Sequence, residues 1–359
     1  MLFDKFSKGV NIGGWLSQYD CRPNPPETRE EMAEHLETYM TEKDFAQIRS
    51  WGLDHVRLTL DHRDFEPEPD SLMDADTAFH YMDLCVDWCE KYGLNVIIDL
   101  HRAAGVAYDM TGDPMPLVAD EACRLRFIHI WERIAEHFKG RNTPVLMFDL
   151  LNEVCDSSGY LWIELYERTV AAIRKIDKER YILTGSNEQN SVFRLKELKL
   201  LDDDHVFYNF HFYDPLMFTH QKAHFSEDMK RYNQDISYPG EIPGFAEYLR
   251  ENREYIPKFS HVILEDRVDK ESMRRLLKDA ADFVKYTGKE LYCGEIGVID
   301  TVPAKDAADW INDCAEILRE NHIGFAIWNY KEMDFGFVNI RNEVSEERVE
   351  RIFGKKCSS

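Results

Sequence analysis

Short runs of apolar and β-branched residues alternate along this chain with longer segments whose apolar positions recur every three to four residues, the pattern of repeated strand–helix units around a parallel sheet. Eight runs qualify as strands: Gly9 to Trp15, Asp54 to Leu60, Asn95 to His101, Val145 to Glu153, Tyr181 to Asn187, Val206 to Tyr213, Leu291 to Gly297 and Gly324 to Tyr330. Amphipathic segments lie between them: Thr41 to Ser50 behind a Thr-x-x-Asp cap, Asp74 to Tyr92, Asp120 to Phe138, Tyr160 to Asp177, Arg274 to Tyr286 and Ala304 to Asn321. Glycines in Trp51-Gly52-Leu53 and Tyr92-Gly93-Leu94 fit helix ends that turn into the next strand. Eight such units predict an α/β fold, a (β/α)8 TIM barrel, with its working face at the carboxyl ends of the strands.

One spacing breaks the rhythm. From Tyr213 to Leu291 the chain is far longer than a loop and a helix require, so residues 214–272 are expected to form an inserted subdomain after strand six, within one catalytic domain spanning 1–359. The segment is rich in aromatics, from Phe218 to Phe259, and carries two Pro-Gly turns, at Pro239-Gly240 and Pro243-Gly244. It reads either as a wall or lid of the site or as a lobe whose aromatics serve only its own small core.

Composition narrows the partners. Lys and Arg total 44 against 67 Asp and Glu, a formal charge of −23, which disfavours nucleic acid, anionic lipid and polyuronates. No apolar run is long enough to span a bilayer, so no membrane role is expected. The opening Met1-Leu2-Phe3-Asp4-Lys5 lacks the charged head and apolar run of a secretory leader, and the eight cysteines are sparse. A cytoplasmic setting is therefore expected, or a secreted one if a leader was removed. Cys85 and Cys89, one helical turn apart, have no second ligand pair nearby and read as buried apolar residues.

Polar residues at the strands' carboxyl ends carry the candidate chemistry. They are Arg57 on strand two, His101 on strand three, Asn152 and Glu153 on strand four, His211 and Tyr213 on strand six, Glu295 on strand seven, and Trp328 on strand eight. Glu153 and Glu295 end strands three places apart around a ring of eight, so they should face each other across the mouth. A glycosidase needs such a pair, one carboxyl holding a proton for the departing oxygen and one ionised to attack or to activate water. Arg57 and Tyr213 are candidates to keep Glu295 ionised. Asp99 and Asp149 read as lying one face off this set, as structural groups. With no His-x-His or His-Glu-x-x-His spacing, neither a metal nor any other cofactor is expected.

These pieces, in order, resemble glycoside hydrolase family 5: Gly9-Val10-Asn11-Ile12-Gly13-Gly14-Trp15, Val56-Arg57-Leu58, His101, Leu151-Asn152-Glu153, His211-Phe212-Tyr213, Gly294-Glu295 and Trp328. The opening block and residues 214–221 look most like the family's non-modular clostridial-type endoglucanases with an inserted subdomain. The resemblance implies a retaining endo-β-1,4-glucanase acting on a neutral β-glucan or oligosaccharide, with Glu153 as acid/base and Glu295 as nucleophile. It further implies that Asn152 binds the sugar 2-hydroxyl, that Arg57, His101, His211 and Tyr213 shape the cleavage subsite, and that Trp328 stacks on a pyranose. Two departures from the family pattern stand out: Arg102 and Ala103 follow His101 where a second histidine and a proline are common, and Val154 follows Glu153 in place of proline. They put substrate choice in doubt, so β-mannanase, β-1,3-glucanase and exo-acting readings stay open, with a non-enzymatic carbohydrate-binding barrel as the alternative from another class.

Overall fold

In the computed structural model, which describes residues 2–66, 71–106, 115–156, 158–255 and 267–355, eight parallel strands close into a barrel. They are β1 (Lys8–Leu16), β2 (His55–Asp61), β3 (Asn95–Arg102), β4 (Leu146–Asp149), β5 (Tyr181–Gly185), β6 (Val206–Phe212), β7 (Leu291–Ile296) and β8 (Gly324–Ile327). Each pairs with its neighbour in sequence, and β8 closes on β1 through Lys8–Phe325, Gly9–Ala326 and Val10–Ile327. The predicted (β/α)8 class and all eight strands are therefore present.

Local chemistry sets the element ends. The helix Glu42–Ser50 starts where the Asp44 carboxylate accepts from the Thr41 N–H at 2.7 Å, closing the predicted capping box. The helix Ala75–Tyr92 stops at Gly93, whose φ of 68° is a left-handed cap that L side chains resist. Cys85 and Cys89 are fully buried on that helix. The expected helix Arg274–Tyr286 is instead two, Lys270–Leu276 and Lys278–Thr287, which meet at Leu277.

The barrel interior is graded along its axis. Near the amino ends of the strands, Ile97, Met147, Leu183, Phe207, Tyr292 and Ala326 pack with Leu2 and Phe6 into an apolar plug. Further along, buried Asn11, Arg57, Asp99, Asp149 and Asn209 replace it with a polar floor. Such a floor is stable only if its members satisfy one another, and it underlies the site.

After β6 the chain runs through short helices at Leu216–Thr219, Glu227–Tyr232 and Phe245–Glu251, and a two-residue antiparallel ribbon joins Gly240–Glu241 to Arg267–Val268. Of the segment predicted as an insertion, residues 256–266, with Phe259, lie outside the described residues. Phe218, Tyr232, Tyr238, Phe245 and Tyr248 are buried in the apolar cluster that also contains the barrel's helix-facing residues. The segment is bolted to the helix Ala304–Glu320: the Tyr238 hydroxyl donates to Asp313 at 2.8 Å and its N–H to Asp306 at 3.1 Å. At its near end the Tyr213, His220 and Phe335 rings contact one another, with centroids 5.0 to 6.0 Å apart. Among the described residues no helix is long and apolar enough to cross a membrane.

Candidate active site

Arg57 is the hub of the site. Fully buried on β2, its guanidinium donates to Asp149 at 3.0 Å, Asn11 at 2.9 Å, Asn152 at 2.9 Å and Glu295 at 3.0 Å, and lies 2.9 Å from Asp99. Burial works against its charge, yet Asp99, Asp149 and Glu295 hold it protonated above its ordinary range. Burial pushes the Asp99 and Asp149 carboxyls up to about 7 against the pull of Arg57. A planar five-donor fork suits this position, because it bridges four strands from one point.

Glu295 ends β7, 5% exposed. One carboxylate oxygen accepts from Arg57 and the other from the Tyr213 hydroxyl at 2.7 Å. Burial and then the Glu295 charge raise Tyr213 well above its ordinary value, so the phenol keeps the proton it donates. The glycine before Glu295 has a steric cause: a Cβ on Gly294 would come 2.8 Å from the Asn209 amide and 2.9 Å from His211 Nε2.

Glu153 lies across from it with its side chain 20% exposed, 3.1 Å from His211 Nδ1. Burial first, and then the neighbouring Glu295 charge, push its pKa well above the ordinary carboxylate range. One oxygen of each glutamate and a ring nitrogen of His211 lie within 4.8 Å of one another. His211 is held neutral by burial and by Arg57, and burial drives His101 down to about 3. Glu153, His211 and Glu295 are also the trio close enough to share a cation among the described residues. The two glutamates differ in their partners, Glu295 taking hydrogen bonds from Arg57 and Tyr213 while Glu153, among the described residues, meets only His211.

All eight sequence-predicted site residues meet here, with three corrections. Glu153 does not end a strand: β4 stops at Asp149, and Glu153 stands on the loop beyond it. Asp99 and Asp149 are not one face off, because both point inward onto Arg57, and Asp99 also fixes His101 through Nδ1 at 2.8 Å. Strand parity shows this in retrospect, since Asp99 and His101 share a face at i, i+2. Trp328 is only 7% exposed, flanked by His101 at 5.2 Å between ring centroids, with a Gly13 Cβ excluded by the indole at 2.6 Å. Little of its face is open for a sugar. Arg102 is tied to Asp20 at 2.7 Å and lies 3.7 Å from Asp61, so its charge is neutralised locally. Asn190 and Asn209 were missed; they touch His211 and Asp149 but carry no motif of their own.

Two acids facing each other beyond β4 and on β7 of a closed barrel, one accepting hydrogen bonds from a guanidinium and a phenol and the other driven toward its protonated form, fit a barrel glycoside hydrolase. The chain belongs to the cellulase family, glycosyl hydrolase family 5, which it matches over residues 24–334. It is 37% identical to Endoglucanase C of Acetivibrio thermocellus over 352 residues, 98% of this chain and 99% of that protein. Cellodextrinase A of Ruminococcus flavefaciens is 33% identical over 317 residues, 88% of this chain and 83% of that one. Among solved structures, endoglucanase Cel5A of Thermotoga maritima shares the fold at TM-score 0.69 and 22% identity, covering 98% of this chain and 99% of its own.

Proposed function

We propose that this enzyme is a retaining endo-β-1,4-glucanase in which Glu295 is the nucleophile and Glu153 the acid/base. The observation that carries the reading is the pair's spacing, with one oxygen of Glu153 inside 4.8 Å of one oxygen of Glu295. Retaining enzymes hold their two carboxyl groups about 5 Å apart, whereas inverting ones leave room for a water between them. The similarity to Endoglucanase C along nearly the whole chain supports a β-1,4-glucan as substrate.

In the first half-reaction Glu295 attacks the anomeric carbon while Glu153 gives its proton to the leaving glycosidic oxygen. Glu295 then becomes a neutral ester, and the charge that helped keep Glu153 protonated is gone. Glu153 is thereby ready to take a proton from water in the second half-reaction, and no group has to move. Asn152, anchored by Arg57 through its side-chain oxygen, has its amide N–H groups turned away from that bond and available to the 2-hydroxyl.

Replacement of either carboxylate tests the roles. Glu295→Gln should lower kcat on a soluble β-glucan by about 10³-fold or more, and Glu153→Gln by about 10²- to 10⁴-fold. With an aryl glycoside whose leaving group needs no proton, the Glu153→Gln variant should recover glycosylation and show a burst of phenol. Near wild-type turnover by either variant on the glucan overturns the assignment. The relative named a cellodextrinase favours a second reading, action on short oligosaccharides; a single small product from a long soluble glucan would decide for it.

A further inference from the structure

The loop after β5 carries three consecutive non-glycine residues in the left-handed region, Glu188, Gln189 and Asn190, with φ of 49°, 59° and 54°. Such backbone persists only where surrounding contacts over-determine it. Here they do, and several of those contacts lead to the loop that carries Glu153. The Gln189 N–H donates to the Val154 carbonyl at 2.9 Å, Asn187 Oδ1 accepts from the Asp156 N–H at 2.9 Å and its amide donates back to the Asp156 carbonyl at 2.5 Å. Asn190, 1% exposed, donates through Nδ2 to the Asn152 carbonyl at 2.6 Å. The β5 loop thus clasps residues 152–156 on both sides of Glu153.

Asn190 also reaches the chemistry by a second route. Its Nδ2 lies 3.4 Å from His211 Nε2. The amide cannot be turned over, because its oxygen would then face the Asn152 carbonyl oxygen, two acceptors with no proton between them. An amide nitrogen accepts nothing, so His211 Nε2 must be the accepting nitrogen and the ring proton must sit on Nδ1. That proton points at Glu153 Oε1, 3.1 Å away, with Glu295 Oε2 at 3.9 Å.

We propose that Asn190 is a positioning residue for the acid/base: it fixes His211 in the Nδ1–H tautomer, so that His211 donates to the ionised Glu153 carboxylate. This rests on the reading of Glu153 as acid/base. Burial, Glu295 and Asp99 favour the neutral acid, while Arg57 and the His211 N–H favour the anion. His211 itself faces Glu153, Glu295, Arg57 and His101, and remains neutral among them. Its N–H therefore lowers the cost of the charge that Glu153 carries in the second half-reaction, without adding a cation. Without Asn190, His211 is free to take the Nε2–H tautomer, and its Nδ1 lone pair then stabilises protonated Glu153 instead.

Nitrogen NMR of histidine-labelled enzyme reads the tautomer directly. The wild type should show His211 protonated at Nδ1. Asn190→Ala should lose that state, move the alkaline limb of kcat/KM upward by about half a pH unit or more, and slow deglycosylation relative to glycosylation. A wild-type His211 protonated at Nε2 overturns the proposal, whether or not the variant folds. So does a folded Asn190→Ala enzyme with an unmoved alkaline limb. Full activity of Glu153→Gln would sink the acid/base reading while leaving the tautomer measurement intact, so the two failures are separable.

Discussion

At the scale of single residues, the site's behaviour follows from what surrounds two chemically identical side chains. Glu295 is met by a guanidinium and a phenol; Glu153 is met by burial, a like charge and one imidazole. Removing the like charge should therefore lower the Glu153 pKa. Carbon NMR titration of the Glu153 carboxyl should show it ionising at lower pH in Glu295→Gln than in the wild type, and an unchanged or higher value contradicts the proton cycle proposed above. The candidate residues were legible in the sequence because an unusual set of polar groups interrupts apolar strands. Their supports were less so: Asn190 is one polar loop residue among many, and only its contact with both Asn152 and His211 gives it meaning.

At the scale of elements, pattern located the strands but not their last residues. Alternation and β-branching identify where a strand runs but not its last residue: regular β4 ends at Asp149, although apolar residues continue through Leu151 and single backbone bonds still tie Leu150 to Leu183 and Asn152 to Leu100. The long helix expected after residue 274 fails for a similar reason, since no breaker marks Leu277. The helix Arg29–Thr38 carries a testable device of its own. His35 joins it to β1, its Nε2 meeting the Trp15 carbonyl at 3.0 Å and its Nδ1 meeting Arg22 at 2.8 Å. Burial foremost, with Arg22 adding to it, lowers His35 to about 4 against the pull of the Trp15 carbonyl. Its unfolded value is about 6.5, so below that pH the unfolded chain takes a proton that the folded one refuses. Its stabilising contribution is complete above pH 6.5 and is lost as pH falls toward 4, by about 3 kcal/mol. Urea unfolding of wild type and His35→Asn should accordingly converge in that window as pH falls, and parallel pH profiles would refute the link.

At the scale of the whole molecule, a charge of −23 surrounds a site built for a neutral ligand. Substrate charge should thus govern the response to salt. Turnover of an unsubstituted cello-oligosaccharide should be nearly independent of ionic strength, whereas kcat/KM on carboxymethylated glucan should rise as salt screens the repulsion; equal salt responses contradict this. The segment after β6 illustrates what length alone conveys. The spacing between strands marks a long stretch there, but how that stretch is attached was not legible, because the bonds from Tyr238 to Asp306 and Asp313 join residues about seventy positions apart. The central claim, a double displacement by Glu295 and Glu153, is tested most directly by the anomeric form of the first product. Proton NMR during early hydrolysis of a β-1,4-glucan should show the new reducing end appearing as the β-anomer before mutarotation. Initial appearance of the α-anomer would contradict the account.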